Sequence, residues 1–216
     1  MARMFSRSIN NLPLQIILYL CLVAVAATAG VTYYMTPKYT RVGYAPIQPV
    51  PYSHAKHVGE LGLDCRYCHN SIDTAGSALP TAQTCMNCHS EIMSTSPALA
   101  TVRESFQSGQ PIRWVHVNAM PSFVYFDHSI HVNRGVGCVE CHGNVNKMAV
   151  VTQLQPMSMG FCLDCHRAPE EHVREKRDIY NLDSPTIAAS EGMEAARRFV
   201  RERDIKPTQN CSGCHR

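Results

Sequence analysis

The chain has 216 residues, 45% of them hydrophobic, but only one Trp and six Phe. A soluble region of this size with so few large aromatic side chains would build a poor hydrophobic core, which excludes a conventional globular domain held together by protein side chains alone. The formal net charge of +3 does not by itself indicate a nucleic acid or an anionic lipid surface as partner.

The first predicted element is an apolar segment that runs almost without interruption from Leu14 to Met35. Its length can span a bilayer and exceeds that of a usual signal-peptide apolar region. Tyr33 and Tyr34 suit the aromatic belt at a membrane interface. We therefore expect residues 1–36 to form a cytoplasmic N-terminus and one uncleaved transmembrane anchor. The alternative is a signal peptide cleaved at Ala27–Ala29, which has the A-x-A pattern.

The sequence Cys-x-x-Cys-His occurs five times after the apolar segment and uses every cysteine there. The copies span Cys65–His69, Cys85–His89, Cys138–His142, Cys162–His166 and Cys211–His215. This is the attachment signature of c-type haem, in which two thiols bond one haem and the next histidine binds its iron. Zinc needs closed sets of four ligands, a thioredoxin-like motif would occur once, and disulfides would not need the histidines. The sequence therefore predicts five covalently bound haem c groups.

These five haems would be the core of the fold. The predicted attachment residues are Cys65, Cys68, Cys85, Cys88, Cys138, Cys141, Cys162, Cys165, Cys211 and Cys214, and the predicted proximal ligands are His69, His89, His142, His166 and His215. We expect a mainly α and irregular fold, with one transmembrane helix followed by a haem-cored domain of short helices and long loops. Each oxidised haem adds about −1 to the net charge, so the holoprotein is mildly negative and no nucleic-acid partner is expected.

The charges beside the apolar segment do not decide its orientation, because Arg3 and Arg7 on one side balance Lys38 and Arg41 on the other. Thioether attachment requires export of the chain. We therefore expect a single-pass protein of the inner (cytoplasmic) membrane, with the haem domain on the periplasmic side.

Two parts of the haem domain repeat each other. Residues 51–69 and 125–142 each place H-x-x-H-V before a haem motif, and a second motif follows each of them. This repeat predicts two di-haem modules, residues 37–92 and 125–168. Residues 93–124 would be a haem-free insert with a short helix, and residues 169–216 a C-terminal helical segment with the fifth haem.

Both haem-free regions carry helix signals. Ser96-Pro97 is typical of a helix start, and it precedes an apolar face formed by Leu99, Val102 and Phe106. Ser184-Pro185 predicts another start, followed by a stripe of Ala189, Met193, Ala196 and Val200. The charged face of that second helix is interpreted as solvent-exposed, with a partner-docking surface as the alternative.

Six histidines outside the motifs are candidate distal ligands: His54, His57, His116, His128, His131 and His172. The two rings of one H-x-x-H turn project in different directions, so they can bind two different irons. We expect His54 and His128 to serve the haem of their own downstream motif. We expect His57 and His131 to serve another haem.

The fifth distal ligand has several candidates. His172 would complete an all-histidine set. Met159, three residues before Cys162, would instead raise the reduction potential, because methionine favours ferrous iron. His116 is a third candidate, and Met120 is a weaker one.

The pattern H-x-x-H…C-x-x-C-H resembles class III multihaem cytochromes of the c7/c3 type. The order of the segments is more specific: the single span is followed by V-P-Y-S-H-A-K-H-V, F-V-Y-F-D-H-S-I-H-V, M-S-M-G-F-C-L-D-C-H-R and the last motif. This order resembles the pentahaem cytochrome subunit of bacterial alternative complex III over nearly the whole chain. One departure is Asn118, where the family has a histidine, so any role of that position stays open.

The resemblance implies a subunit of a quinol:electron-acceptor oxidoreductase that relays electrons towards a periplasmic carrier or a terminal oxidase. Other subunits would carry the quinol site, the iron–sulfur clusters and a monohaem cytochrome c. The chain would then have no catalytic residues and would not be an enzyme by itself.

Three alternative functions stay open at this point. A multihaem reductase would need an open iron position, which the supply of candidate ligands makes unnecessary. A self-contained, membrane-anchored quinol dehydrogenase would need a quinone pocket beside a haem. A passive haem wire or electron store would need no fixed complex.

Overall fold

The computed structural model describes residues 9, 11–35, 41–74 and 79–215. Three residues used to compare the charges that flank the apolar segment lie outside the described residues: Arg3, Arg7 and Lys38. The chain divides into two compact units, residues 1–41 and 42–216.

The first unit is a single helix, α1 (Leu12–Met35). Its stretch Leu12–Tyr34 is long and apolar enough to cross a membrane, and none of that stretch is buried inside the protein. Apolar side chains surround the helix on all sides, which suits a lipid environment rather than packing along one face. The predicted apolar helix is therefore present, and it begins two residues before Leu14.

The second unit consists of short helices joined by long irregular segments. Its α-helices are α2 (Cys65–Cys68), α3 (Ala82–His89), α4 (Ala100–Ser108), α5 (His128–Asn133), α6 (Cys138–His142), α7 (Met159–Arg167), α8 (Ile187–Ser190), α9 (Met193–Glu202) and α10 (Cys211–Cys214). One π-helical turn (Ala55–Glu60) and 3₁₀ turns at Pro97–Leu99, Val145–Lys147, Pro169–Glu171 and Lys176–Asp178 complete the helical part. The described residues contain isolated antiparallel bridges, Val124–His215 and Val136–Val173, but no strand. The predicted mainly α and irregular fold class is confirmed.

Each haem motif lies on a helix. The first, third and fifth motifs begin at the first residue of α2, α6 and α10, and the second and fourth lie in the C-terminal halves of α3 and α7. A helical turn brings residues i and i+3 to the same face. Both thiols of a motif therefore point to one side, as bonding to one porphyrin edge requires.

The hydrophobic core of the second unit is small and divided. One buried cluster contains Val50, Ala82, Leu99 and Val102, and the other contains Val173, Ile187, Ala196 and Phe199. Large apolar side chains such as Phe123, Ile130 and Val150 are more than half exposed. This distribution agrees with the composition, which leaves too few large side chains for a protein-only core.

The helix predicted at Ser96-Pro97 is present as the 3₁₀ turn Pro97–Leu99, which continues directly into α4. Leu99 and Val102 of the predicted apolar face are buried, whereas Phe106 is 45% exposed. The buried part of this face therefore lies at the start of the helix.

The helix predicted at Ser184-Pro185 is interrupted. Thr186, rather than Ser184, caps α8, because its hydroxyl accepts a hydrogen bond from the Ala189 amide. The chain then breaks at Gly192, whose φ of +90° strongly favours glycine, and α9 follows. The break shifts the helical phase, so Ala189 is exposed instead of lying on the predicted stripe, whereas Ala196 is fully buried.

Candidate haem-binding site

Three motif histidines each face one histidine from outside the motifs. The ring centroids are 6.2 Å apart in the pairs His57–His89, His128–His142 and His131–His166. Histidine nitrogens bind metals at about 2.0–2.1 Å, and half of each ring extends beyond its nitrogen. Two rings on opposite sides of one metal ion therefore have roughly this separation. All three pairs have the spacing of two axial ligands.

Backbone carbonyl groups orient most of these rings through Nδ1. The Nδ1 atom of His57 lies 2.9 Å from the Ser53 oxygen, and that of His131 lies 2.8 Å from the Asp127 oxygen. The Nδ1 atom of His89 lies 2.8 Å from the Ile92 oxygen, and that of His166 lies 2.6 Å from the Thr208 oxygen. A carbonyl oxygen can only accept, so Nδ1 carries the proton and the Nε2 lone pair is left for a metal. Metal-bound histidines usually have this second hydrogen bond.

The two H-x-x-H turns share a further feature that the sequence analysis missed. The Tyr52 ring stacks on His57 at 4.4 Å and meets His54 edge-on at 4.8 Å. The Phe126 ring stacks on His131 at 4.9 Å and meets His128 edge-on at 4.7 Å. In each turn, an aromatic residue two positions before the first histidine holds the two imidazoles apart. The sequence signal was the repeated aromatic residue in Y-S-H and F-D-H.

His54 is close enough to His69, the histidine of the first motif, to be influenced by its charge. Burial and the neighbouring His69 lower the pKa of His54 to about 4, with smaller contributions from His57 and His142. Its Nδ1 atom is buried without a hydrogen-bond partner among the described residues. Burial also lowers the pKa of His142 to about 4 and reduces that of His131. These rings are therefore neutral at pH 7, which is the form that binds metals.

A cavity of about 640 Å³ joins the first and third motifs. Both thiols and the histidine of each motif line this cavity, together with His54, His116, His128 and His131. Its apolar walls include Leu63, Ile72 and Val132. An apolar cavity with a few convergent ligands is typical of a cofactor site.

The thiols of successive sites lie near one another. In the free thiol form, burial and the neighbouring Cys85 raise the pKa of Cys68. Burial and Cys65 raise the pKa of Cys138 to about 11. Burial and Cys165 raise that of Cys141 to about 12, and burial and Cys214 raise that of Cys162. These electrostatic influences link the motifs in the order second, first, third, fourth and fifth.

The candidates for the fifth distal ligand have different surroundings. Met159 is the first residue of α7 and is 66% exposed. His116 is exposed on the segment beside the cavity, and Met120 on the same segment is half-buried. The Phe123 ring lies 5.9 Å from the His215 ring of the fifth motif.

His172 belongs to a small charged cluster. Its Nδ1 atom lies 3.0 Å from a carboxylate oxygen of Glu140, and Arg174 donates to the other oxygen at 2.6 Å. Burial opposes ionisation of Glu140, but the bonds from His172 and Arg174 lower its pKa. The bond to Glu140 also raises the pKa of His172, and it occupies only Nδ1, so that Nε2 stays available.

The residues present fit haem c. The paired rings have the required separation, Nδ1 of His57, His89, His131 and His166 has a backbone acceptor, and the thiols of the first and third motifs open into one apolar cavity. When bound, haem c supplies a reversible one-electron couple, and the chain supplies axial ligands, orientation and burial.

Comparison with known proteins agrees with this site. Residues 124–216, which include the third, fourth and fifth motifs, match the family of cytochrome c7 and related cytochrome c. Over 97 residues the chain is 34% identical to the multihaem cytochrome c subunit of menaquinone reductase from Nitratidesulfovibrio vulgaris. That match covers 44% of this chain and 45% of the relative, so the chain spans less than half of the relative's length.

The site geometry agrees with the family match: residues 124–216 are similar to cytochrome c7 and related cytochrome c, and that similarity implies covalently bound haem c.

Proposed function

We propose that the chain is a membrane-anchored pentahaem c-type cytochrome that relays electrons within a quinone-linked membrane complex. The observation that carries this proposal is the set of three histidine pairs with ring centroids 6.2 Å apart. An iron held between two histidines has no open position for a substrate, so it exchanges electrons with its neighbours. The chain is then an electron-transfer subunit and not an enzyme by itself.

Five attachment sites follow from the five motifs, and four of them have a distal histidine. His54 pairs with His69, His57 with His89, His128 with His142, and His131 with His166. The ring separations support the last three pairs, and the mutual electrostatic influence of His54 and His69 supports the first.

The distal ligand of the fifth site is Met159. One observation supports this assignment: Met159 lies one helical turn before Cys162, whose thiol is influenced electrostatically by Cys214 of the fifth motif. His172 is the alternative ligand, because its Nδ1 bond to the Glu140 carboxylate leaves Nε2 for a metal. A haem with one methionine ligand has a higher potential than one with two histidines. The fifth site would therefore be the highest in potential.

Electrons would pass along the motifs in the order second, first, third, fourth, fifth. The electrostatic influence between thiols of neighbouring motifs supports this order. The second and fifth sites then lie at the two ends of the row. One end receives electrons from a partner, and the other passes them on.

The complex to which the chain belongs has two candidate directions of electron flow. The order of motifs over nearly the whole chain supports alternative complex III, in which quinol is oxidised and a periplasmic carrier or terminal oxidase is reduced. The relative's name, menaquinone reductase, favours a complex that reduces quinone. In both, α1 anchors the chain in the inner membrane, the haem domain lies on the periplasmic side, and partner subunits hold the quinone site, the iron–sulfur clusters and a monohaem cytochrome c.

Haem reduction by a quinol separates these functions. The absorbance of reduced haem is followed after quinol is added to the detergent-solubilised native complex and to the isolated chain. Reduction in the complex but not in the isolated chain is expected for a relay subunit of a quinol oxidase. Reduction of the isolated chain would contradict the relay and indicate a self-contained quinol dehydrogenase. Oxidation of pre-reduced complex by quinone, without quinol-driven reduction, would identify the quinone-reducing direction.

A further inference from the structure

The histidine of the third motif has a different kind of Nδ1 partner from four of the other paired rings. In His57, His89, His131 and His166, Nδ1 meets a backbone carbonyl oxygen. In His142, Nδ1 lies 3.0 Å from Nδ2 of Asn118, a side-chain amide. Asn118 lies in the haem-free insert, 24 residues before His142.

The two ends of the Asn118 amide are unequally satisfied. Its Oδ1 atom is buried without a hydrogen-bond partner among the described residues, while Nδ2, which can only donate, faces the ring. The oxygen and nitrogen of an amide are distinguished by their hydrogen-bond networks rather than by shape. Exchanging them places the acceptor Oδ1 at 3.0 Å from Nδ1 of His142 and removes the unsatisfied buried oxygen.

The chemistry of His142 requires this exchange when the ring is a metal ligand. The ring stands parallel to that of His128, with an interplanar angle of 11° and a centroid separation of 6.2 Å. A ring that gives Nε2 to a metal carries its proton on Nδ1 and needs an acceptor there. The other four rings have that acceptor in the backbone.

We propose that Asn118 is the positioning residue of the third haem site: its Oδ1 accepts the Nδ1 proton of His142, fixes the tautomer that directs Nε2 to the iron, and sets the electron donation of that one ligand. This inference rests on the proposed haem ligation. A stronger acceptor makes the imidazole a stronger donor, stabilises ferric iron and lowers the potential, and loss of the acceptor has the opposite effect. A single substitution can remove or replace the side-chain acceptor of Asn118, whereas a substitution does not remove a backbone carbonyl acceptor.

The test compares two substitutions at Asn118 with one nearby control in the full-length holoprotein. Asn118→Leu removes the acceptor at similar volume, and Asn118→Asp keeps an acceptor and strengthens it. Gln48→Leu is the control, because the Gln48 side chain holds the same segment by bonds to Val115 O at 2.8 Å and from Val115 N at 3.0 Å. The control loosens the segment without removing the His142 acceptor.

The readouts are a potentiometric titration resolved by haem and the exchangeable Nδ1 proton signal of His142 in the oxidised protein. We expect one haem to move to higher potential in Asn118→Leu, with loss of that proton signal. The same haem should move to lower potential in Asn118→Asp, with the proton signal kept. Shifts of both Asn118 variants in one direction, no shift of any haem, or an equal shift in Gln48→Leu would each overturn the proposal.

Failure of this test is distinguishable from failure of the proposed function. If all five haems are present and low spin in the parent protein but the Asn118 variants leave every potential unchanged, the positioning role is wrong and the relay stands. If the third site has no histidine-ligated haem in the parent protein, the ligation itself is wrong.

Discussion

At the scale of single residues, the surroundings of a histidine's Nδ1 atom determine whether its Nε2 atom is available to a metal. A histidine can bind a metal only as a neutral ring with one free lone pair. Burial lowers the pKa of His54 and His142 to about 4, and carbonyl groups hold the Nδ1 proton of His57 and His131. Ligands prepared in this way lose little freedom when they bind an iron.

Loss of one distal histidine should open one haem and leave the other four unchanged. We expect His54→Ala and His128→Ala each to convert about one haem in five from low to high spin, because alanine cannot coordinate iron. Optical and electron paramagnetic resonance spectra of the oxidised protein measure the change. Ile130→Ala, a substitution of a 61% exposed residue on the same helix as His128, should remain fully low spin. Unchanged low-spin spectra in both histidine variants would rule out these ligand assignments.

Met159 should control the highest reduction potential of the set. Histidine is a stronger donor to ferric iron than methionine, so we expect Met159→His to lower the last step of a redox titration, about one fifth of the total amplitude. Met193→His, in the haem-free helix α9, is the control and should leave the curve unchanged. A titration of Met159→His that keeps its highest step would reject Met159 as a ligand.

At the scale of elements, short turns carry the ligands and a charged cluster joins them to the C-terminal segment. The Arg174 side chain, 6% exposed, binds Glu140 of the third motif and the Ser184 carbonyl. Its amide also donates to the Gly135 carbonyl at 2.7 Å. Arg174 therefore joins the segment before α6 and the haem motif on α6 to the C-terminal segment.

Removing Arg174 should be costly because it leaves the half-buried Glu140 carboxylate without its closest counter-charge. We expect Arg174→Ala to reduce the free energy of unfolding by about 3 kcal/mol, the lower part of the range for a buried pair, since Glu140 keeps some exposure. Arg177→Ala is a matched control, because Arg177 is 84% exposed in its ion pair with Asp178, and should change stability by less than about 0.5 kcal/mol. Equal effects in denaturant titrations of the holoproteins would contradict this role.

The helices, turns and loops of the haem domain differ in how well the sequence predicts them. The motif spacing and the repeated H-x-x-H predicted which histidines are available as ligands, because these patterns are local. They did not predict which other motif His57 and His131 meet, because those pairings with His89 and His166 join distant segments. The carbonyl acceptors of His89 and His166 come from the paths of loops, at Ile92 and Thr208, which no local pattern specifies. The break at Gly192 was missed because an apolar stripe continues across it in the sequence, although a φ of +90° ends the helix.

At the scale of the whole molecule, the proposed haems would replace the missing protein core. The two buried side-chain clusters are small, and a cavity of about 640 Å³ joins the first and third haem motifs. The proposed row of five sites would fill this space with large apolar groups and give the fold its interior. Stability and electron transfer would then depend on the same contacts.

The two units should have separable roles in the membrane and in electron transfer. We expect a protein in which a cleavable signal peptide replaces residues 1–41 to appear in the soluble periplasmic fraction with an unchanged haem spectrum, because residues 42–216 form their own compact unit. Cell fractionation followed by absorbance spectroscopy measures both properties. Haem protein that stays in the membrane fraction after this replacement would show that the second unit binds the membrane or a membrane partner strongly by itself.

The five Cys-x-x-Cys-His copies imply that this one chain carries five covalent haems. The intact mass of the purified holoprotein under denaturing conditions tests this directly, because only covalently attached cofactor then stays with the chain. We expect one species with the mass of the polypeptide plus five haems, and a loss of one haem when Cys211 and Cys214 are both replaced by alanine. A parent mass with fewer than five haems would contradict the pentahaem assignment, because at least one Cys-x-x-Cys-His copy would then have another role.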